Sequence, residues 1–354
     1  MAKHTHLHLW PGVPLALASA IFFGAVTPFS KYLLGGIDPW MLAGILYLAA
    51  GIGLLAVHLF NRSTAQKSSE VSLNSQDMPW LLTVIGIGGV VAPLLLVFGL
   101  SQTSASQASL LLNLEGLATM AIAWLAFKEN VDRRLLLGAI VIISGALLLT
   151  WDGSDFRFDQ GSLLIACACI AWGIDNNLTR KISASDPVQI AMIKGLVAGS
   201  INLAIAFSLG AKLPTLEIAS KAGVLGVFGI GISLVLFISA LRHLGTARTG
   251  AYFSLAPFIG ALLALAILHE ALTWQLLLAG ILMMFGLWLH LSERHDHEHI
   301  HDEVQHNHKH NHDEHHNHDH EGDLSGPHAH THYHAPLRHK HPHYPDLHHH
   351  HVHR

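Results

Sequence analysis

The chain has 354 residues, 51% of them hydrophobic and only 12% charged, with a formal net charge of −4. Soluble domains carry roughly 25% charged residues, so most of this chain must be solvated by lipid. That balance rules out an ordinary water-soluble enzyme domain and offers no basic surface for a nucleic acid. The two cysteines, Cys167 and Cys169, lie within an apolar stretch and supply no disulfide framework.

The amino-terminal stretch 1–12 carries His4, His6 and His8 in alternation. The apolar run that follows, from Val13 to Leu34, is too long for a cleaved leader and has no small-residue cleavage site. It is read as a first membrane span. Apolar runs of about 20 residues recur near 40–60, 79–100, 104–127, 135–151, 161–181, 188–209, 220–241, 248–268 and 272–291, giving ten spans. Trp10, Trp40, Trp80, Trp151, Trp274 and Trp288 fall near span ends, where amphipathic rings anchor. With the amino terminus in the cytoplasm, Lys3, Arg62, Lys67, Lys128, Arg133, Arg134, Arg180, Lys181, Arg242 and Arg248 lie inside. Lys31, Arg157, Lys212 and Lys221 lie outside. Cytoplasmic connections favour Lys and Arg, so both chain ends are expected in the cytoplasm of an inner-membrane, multi-pass protein.

Residues 161–181 open a second copy of one unit. Trp172-Gly173 and Arg180-Lys181 answer Phe23-Gly24 and Lys31, and each stretch runs into an Asp-Pro, Asp38-Pro39 or Asp186-Pro187. The closing halves match too. Glu129-Asn130-Val131 leads to Leu135-Leu136-Leu137-Gly138, and Glu270-Ala271-Leu272 leads to Leu276-Leu277-Leu278-Ala279-Gly280. Units of five spans, 13–151 and 161–291, must face opposite ways in the membrane, the inverted-repeat plan of secondary transporters.

These openings and closings resemble the EamA family of the drug/metabolite transporter superfamily, over roughly residues 13 to 291. The resemblance implies an all-α polytopic fold, ten transmembrane helices in two inverted five-helix repeats, and transport rather than enzymatic catalysis. It does not choose the cargo. Some members of the superfamily are linked to nickel and cobalt resistance.

Beyond Leu291 the composition changes. Residues 292–354 hold 24 of the 31 His. They include His295, His297, His299 and His301, then His306, His308, His310 and His312, then His315, His316, His318 and His320. Interspersed acids, amides and prolines leave no apolar face, so a disordered cytoplasmic tail is expected. Neutral imidazoles in such a strand suit Ni²⁺ and Co²⁺, and Zn²⁺ or Cu²⁺ as well, rather than Mg²⁺ or Ca²⁺. No cofactor is required by this reading. His4, His6 and His8 lie on the same membrane face as the tail.

Ionisable and amide side chains inside spans are costly and are functional candidates by default. Glu115, with Asn113 two residues earlier, is a candidate for substrate or proton coupling. Asp175 and Lys194 are expected at similar depth as an ion pair, and Asn176, Asn177 and Asn202 either line a polar path or join helices. Cys167, Cys169, His58, Met120 and Met192 are expected to be packing groups, and Glu129 and Glu270 to be architectural. No Gly-x(4)-Gly-Lys-Ser/Thr signature occurs. The chain is therefore expected to be an ion-coupled exporter in a lipid bilayer, with a homodimer as one arrangement open to it. Divalent nickel or cobalt is the first cargo considered and an amino acid or other organic metabolite the second. A membrane-anchored metal sensor or storage protein is the alternative from another class.

Overall fold

A computed structural model describes residues 12–63, 73–127, 133–151, 159–182 and 185–291, and the backbone of four short stretches of the tail; at 61–63, 127, 180, 241–242, 245–248, 251 and 291 it likewise describes backbone alone. The first unit comprises α1 (Gly12–Leu33), α2 (Pro39–Ser63), α3 (Met78–Val84), α4 (Ala92–Gln102), α5 (Ala105–Leu111), α6 (Leu114–Phe127) and α7 (Arg133–Leu149). The second comprises α8 (Gln160–Thr179), α9 (Pro187–Ser208), α10 (Leu216–Leu225), α11 (Ser233–Phe253), α12 (Ala256–Ile267) and α13 (Trp274–Leu291). All backbone polar groups in lipid must be satisfied within the chain, which helices alone achieve here.

The Asp-Pro pairs start equivalent helices. Asp38 Oδ1 accepts from the Trp40 amide at 2.9 Å and Asp186 Oδ1 from the Val188 amide at 2.8 Å. Each Asp caps a free amide, and each following Pro occupies a position whose amide would go unused. The two helices so begun, α2 and α9, pack along each other. They approach so closely that a Cβ on Gly195 would stand 2.7 Å from the Gly51 amide nitrogen.

The third segment of each unit contains a seven-residue π-helical turn, Ile85–Val91 between α3 and α4, and Gly226–Ile232 between α10 and α11. The fourth segment of each unit is interrupted in mid-span. In the first, Leu112 and Asn113 separate α5 from α6; in the second, Ser254 and Leu255 separate α11 from α12. Asn113 Nδ2 donates to the Leu110 carbonyl at 2.8 Å, beside its own backbone amide, which reaches the same carbonyl at 3.1 Å. Pro257, at the start of α12, has no amide to continue the preceding helix.

The units interlock. α1 packs against α11 and α12 of the second unit, while α8 packs against α4 and α6 of the first. α7 packs against α13. The largest core cluster accordingly draws Leu96, Leu111 and Ile142 from the first unit and Ile165, Trp172 and Met283 from the second.

Among the described residues, seven stretches are long and apolar enough to cross a membrane. The differences from the ten expected spans have local causes. α11 runs through the connection expected at 242–247 and leaves the ninth span to the 12-residue α12. α13 is a shorter apolar helix, and the 17-residue α7 opens on Arg133-Arg134.

The tail carries β1 (Asp296–His301), β2 (Val304–His310), β3 (His328–His334) and β4 (Leu337–Pro342), paired antiparallel as β1 with β4 and β2 with β3. His-x-His has the period of two that a strand has. His4, His6, His8, His295, His312, His315, His316, His318, His320 and Glu129 lie outside the described residues.

Candidate functional site

The π-helical turn Ile85–Val91 positions the polar centre of the molecule. A π turn offsets the regular ladder and leaves carbonyls free for side chains. Tyr47 Oη from α2 and Trp172 Nε1 from α8 both donate to the Gly88 carbonyl, each at 3.2 Å. Asn202 Nδ2 from α9 donates to the adjacent Gly89 carbonyl at 3.3 Å. Three helices from both units are thus fastened to one turn. Gly88 is required there, because a Cβ at that position would collide with the carboxyl carbon of Asp175.

Asp175 forms the ion pair expected from its depth. Lys194 Nζ lies 2.6 Å from Asp175 Oδ2, and the two side chains are 8% and 7% exposed. Thr179 Oγ1 donates to the other oxygen, Asp175 Oδ1, at 3.3 Å. Lys194 reaches across from α9 to α8, so the pair ties two helices of the second unit beneath the turn of the first.

Glu115 occupies a separate position. It lies in the first turn of α6, directly after the mid-span break, where the free amides of a helix start favour negative charge. Asn176 Nδ2 donates to Glu115 Oε1 at 2.9 Å and stands 3.3 Å from Thr119 Oγ1. Asn177 Nδ2 donates to the Thr119 carbonyl at 3.0 Å and to Gly173 at 2.8 Å. Asn113, although two residues from Glu115, turns away: its Nδ2 lies 3.7 Å from Met283 Sδ. Of the five coupling candidates, Glu115 and Asn176 meet, Asp175 and Lys194 meet, and Asn113 serves the break. Asn202 keeps a buried Oδ1 with no partner among the described residues.

Beside Tyr47 and Trp172 lies a small cavity at the interface of the units, walled by Phe23, Thr27, Ser30, Tyr47, Leu112 and Trp172. Its volume is about 20 Å³, room for one water, so the units are closed upon each other at this point. Ser30 is 1% exposed and its Oγ has no partner among the described residues. Phe23 and Trp172 stand edge to face with centroids 6.3 Å apart, and Phe253 and Phe237 extend the aromatic cluster. Trp172 and Phe23 are named by the repeat alignment as equivalent openings; that they meet, and that Tyr47 joins them, was not legible from spacing.

Glu270 is architectural, as expected: its Oε1 and Oε2 accept from the amides of Ala105 and Ser106 at 2.7 and 2.8 Å, capping α5. Cys169 is buried and donates weakly to the Leu111 carbonyl at 3.7 Å, and Cys167 is exposed on α8. Among the described residues no three of His, Cys, Asp and Glu gather as a metal-ligand set.

Comparison with known proteins agrees with this architecture. The model of the EamA-like transporter family matches residues 10–151 and again 159–292. A transporter of Methanothermobacter thermautotrophicus is 32% identical over 79% of this chain and 86% of its own length. The inner membrane transporter YedA of Escherichia coli K12 is 25% identical over 67% of this chain and 78% of its own. A Salmonella typhimurium protein named as a probable amino-acid metabolite efflux pump is 27% identical over 52% of this chain and 67% of its own. One crystal structure shares the fold, with a TM-score of 0.61 at 17% identity over 79% of this chain and 96% of that one. With one family match on each of its two interlocked units, the chain belongs to the EamA-like transporter family and is a multi-pass membrane transporter, not an enzyme.

Proposed function

We propose that this transporter exports a small organic metabolite of the amino-acid type across the inner membrane, from cytoplasm outward. The observation that carries this reading is the aromatic cavity at the unit interface together with the ion pair next to it. Phe23, Tyr47 and Trp172 offer ring faces to an organic body, and Thr27 and the unpartnered Ser30 offer hydroxyls. Asp175 lies against Gly88, the residue whose carbonyl receives both Tyr47 and Trp172. A buried ion pair tolerates losing one partner poorly, at about 3–5 kcal/mol. A zwitterion replaces both partners at once, its ammonium on Asp175 and its carboxylate on Lys194. A lone divalent cation would leave the Lys194 ammonium unpaired. The name of the Salmonella typhimurium relative, a probable amino-acid metabolite efflux pump, supports the same class.

Coupling in this proposal runs through Glu115, the acid that stands at a helix start in mid-span and accepts from Asn176. The experiment that tests the cargo class is ligand-induced stabilisation of the purified protein by a panel of zwitterions, their esters and their amines. A ligand that binds the folded state raises the midpoint by mass action. Zwitterions with apolar side chains should raise it and singly charged analogues should not; equal response to all three would set the reading aside.

The tail favours a second component of the function, metal binding at the cytoplasmic mouth. The register of β2 and β3 sets His306 opposite His332, His308 opposite His330 and His310 opposite His328. Ladders of His at every second position are a ligand-rich strand for Ni²⁺, Co²⁺, Zn²⁺ or Cu²⁺. We read this metal as a regulator of the exporter. Nickel or cobalt as cargo rests on the tail alone, whereas the chemistry of the cavity favours an organic solute.

A further inference from the structure

A second hollow lies away from the central site, where α7 ends and α13 begins. It holds about 320 Å³ and is lined by Ser104, Gln107, Trp151, Glu270, Thr273 and Gln275, far more room than one water needs. Trp151 and Trp274 stand edge to face with centroids 6.3 Å apart. Trp rings at span ends sit at the depth of lipid headgroups, so the hollow lies at that depth. Leu272 and Trp274, the chain neighbours of the lining residues Ala271 and Thr273, are exposed. Leu277 and Leu278, one turn further along α13, are exposed as well. This is apolar surface along which an acyl chain can lie.

The lining has the chemistry of a receiver for a cation. Among the described residues that line it, Glu270 alone is ionisable. Its two oxygens take one amide each, from Ala105 and Ser106 at 2.7 and 2.8 Å. A carboxylate has about four acceptor sites, so about half of them remain. Lys31 does not fill them. Its Nζ donates to the carbonyls of Leu100 and Thr103, each at 2.7 Å, and makes no ion pair with Glu270. Gln107 Nε2 donates to the Leu149 carbonyl at 3.1 Å and to Ser162 Oγ at 3.2 Å, which leaves Gln107 Oε1 to accept. The hydroxyls of Ser104 and Thr273 each accept one backbone amide and keep a second lone pair. The indole of Trp151 adds an aromatic face, which attracts an ammonium.

We propose that this hollow binds the primary ammonium of a phosphatidylethanolamine headgroup, in the leaflet at which α1 ends. The three N–H donors of the headgroup meet Glu270, Gln107 Oε1 and the hydroxyl oxygens, while its phosphate stays in water at the mouth. A trimethylated headgroup is wider and has no N–H to donate. Glu270 also caps α5, so an occupied hollow fastens the corner between α4 and α5 to the second unit. The inference rests on the chain's place in a bilayer and not on the cargo or its coupling. A water-soluble amine carries the same ammonium, and the test separates the two sources.

The probe is an equimolar mixture of phosphatidylethanolamine and phosphatidylcholine with matched acyl chains. It is added to the purified full chain in detergent, and the lipid retained is counted by native mass spectrometry. The ethanolamine lipid should be kept about tenfold over the choline lipid, the worth of one hydrogen bond to a charged group. Glu270→Gln should abolish that preference. Gln275→Lys should abolish it too, because the chain then supplies its own ammonium. Gln275 is only partly buried, so this variant should fold as the parent does, as gel filtration can check. If Glu270→Gln does not fold, Gln275→Lys decides alone. Equal retention of the two lipids by the full chain, or an unchanged preference in Gln275→Lys, would overturn the proposal. So would displacement of the ethanolamine lipid by millimolar O-phosphoethanolamine, which has no acyl chain and would assign the hollow to a soluble amine.

Discussion

Phe23 and Trp172 occupy the same place in the two units and meet edge to face at 6.3 Å on the interface between them. Equivalent residues of an inverted repeat meet close to the axis that relates the units, so the ring pair belongs to the contact between the two units. Thr27 and Ser30, one and two turns further along α1 from Phe23, bring hydroxyls to the same wall. Trp172→Ala should therefore remove a binding wall and a tie to Gly88 together. We expect loss of solute-induced stabilisation, with Trp172→Phe retaining part of it. Titration by intrinsic fluorescence and by thermal unfolding checks both.

Gly88→Ala is expected to be among the most damaging single changes. The added methyl meets the Asp175 carboxyl, and neither the π-helical turn nor the ion pair has room to retreat. Overpacking of this kind costs about 1–3 kcal/mol. Gly86→Ala, in the same turn but with open space around its Cβ position, is the control and should be close to wild type in unfolding experiments.

The ion pair separates stability from transport. Asp175→Leu or Lys194→Met alone leaves a buried charge unpaired, at about 3–5 kcal/mol. The double variant removes both charges and should recover most of that stability. It should not recover transport of a zwitterion, because the partners that receive it are gone. A double variant that is stable and transports normally would make the pair purely structural.

Much of this architecture is legible in the sequence, and the reasons are physical. Asp38-Pro39 and Asp186-Pro187 reveal equivalent helix starts because cap chemistry is local. Asp175 and Lys194 are readable as a pair because two opposite charges in lipid have few alternatives. The π-helical turns are not readable: Ile85–Val91 is glycine-rich and apolar, with nothing that distinguishes it from an ordinary helix of small residues. For the same reason the docking of Tyr47, Trp172 and Asn202 on its carbonyls could not be foreseen. Glu270 reads as architectural, but its partners lie over a hundred and sixty positions away and only tertiary structure supplies them.

Removal of the tail after Arg294 should leave a folded transporter, since the last membrane helix among the described residues ends at Leu291. The shortened chain should bind far fewer Ni²⁺ or Co²⁺ ions, read by isothermal titration. In the full chain that binding should be present near pH 7.5 and lost near pH 5, as imidazoles with an ordinary value near 6.5 protonate. Solute transport by the full chain should change with added metal, and transport by the shortened chain should not.

The central claim, export of an organic zwitterion coupled through Glu115, is tested most directly by uptake into inside-out vesicles under an imposed proton gradient. The panel should comprise labelled amino acids with apolar and aromatic side chains, together with Ni²⁺ and Co²⁺. The account predicts accumulation of at least one zwitterion, abolished by a protonophore and by Glu115→Gln, with no accumulation of either metal. Accumulation of nickel or cobalt with no movement of any amino acid, or an undiminished rate in Glu115→Gln, would contradict it.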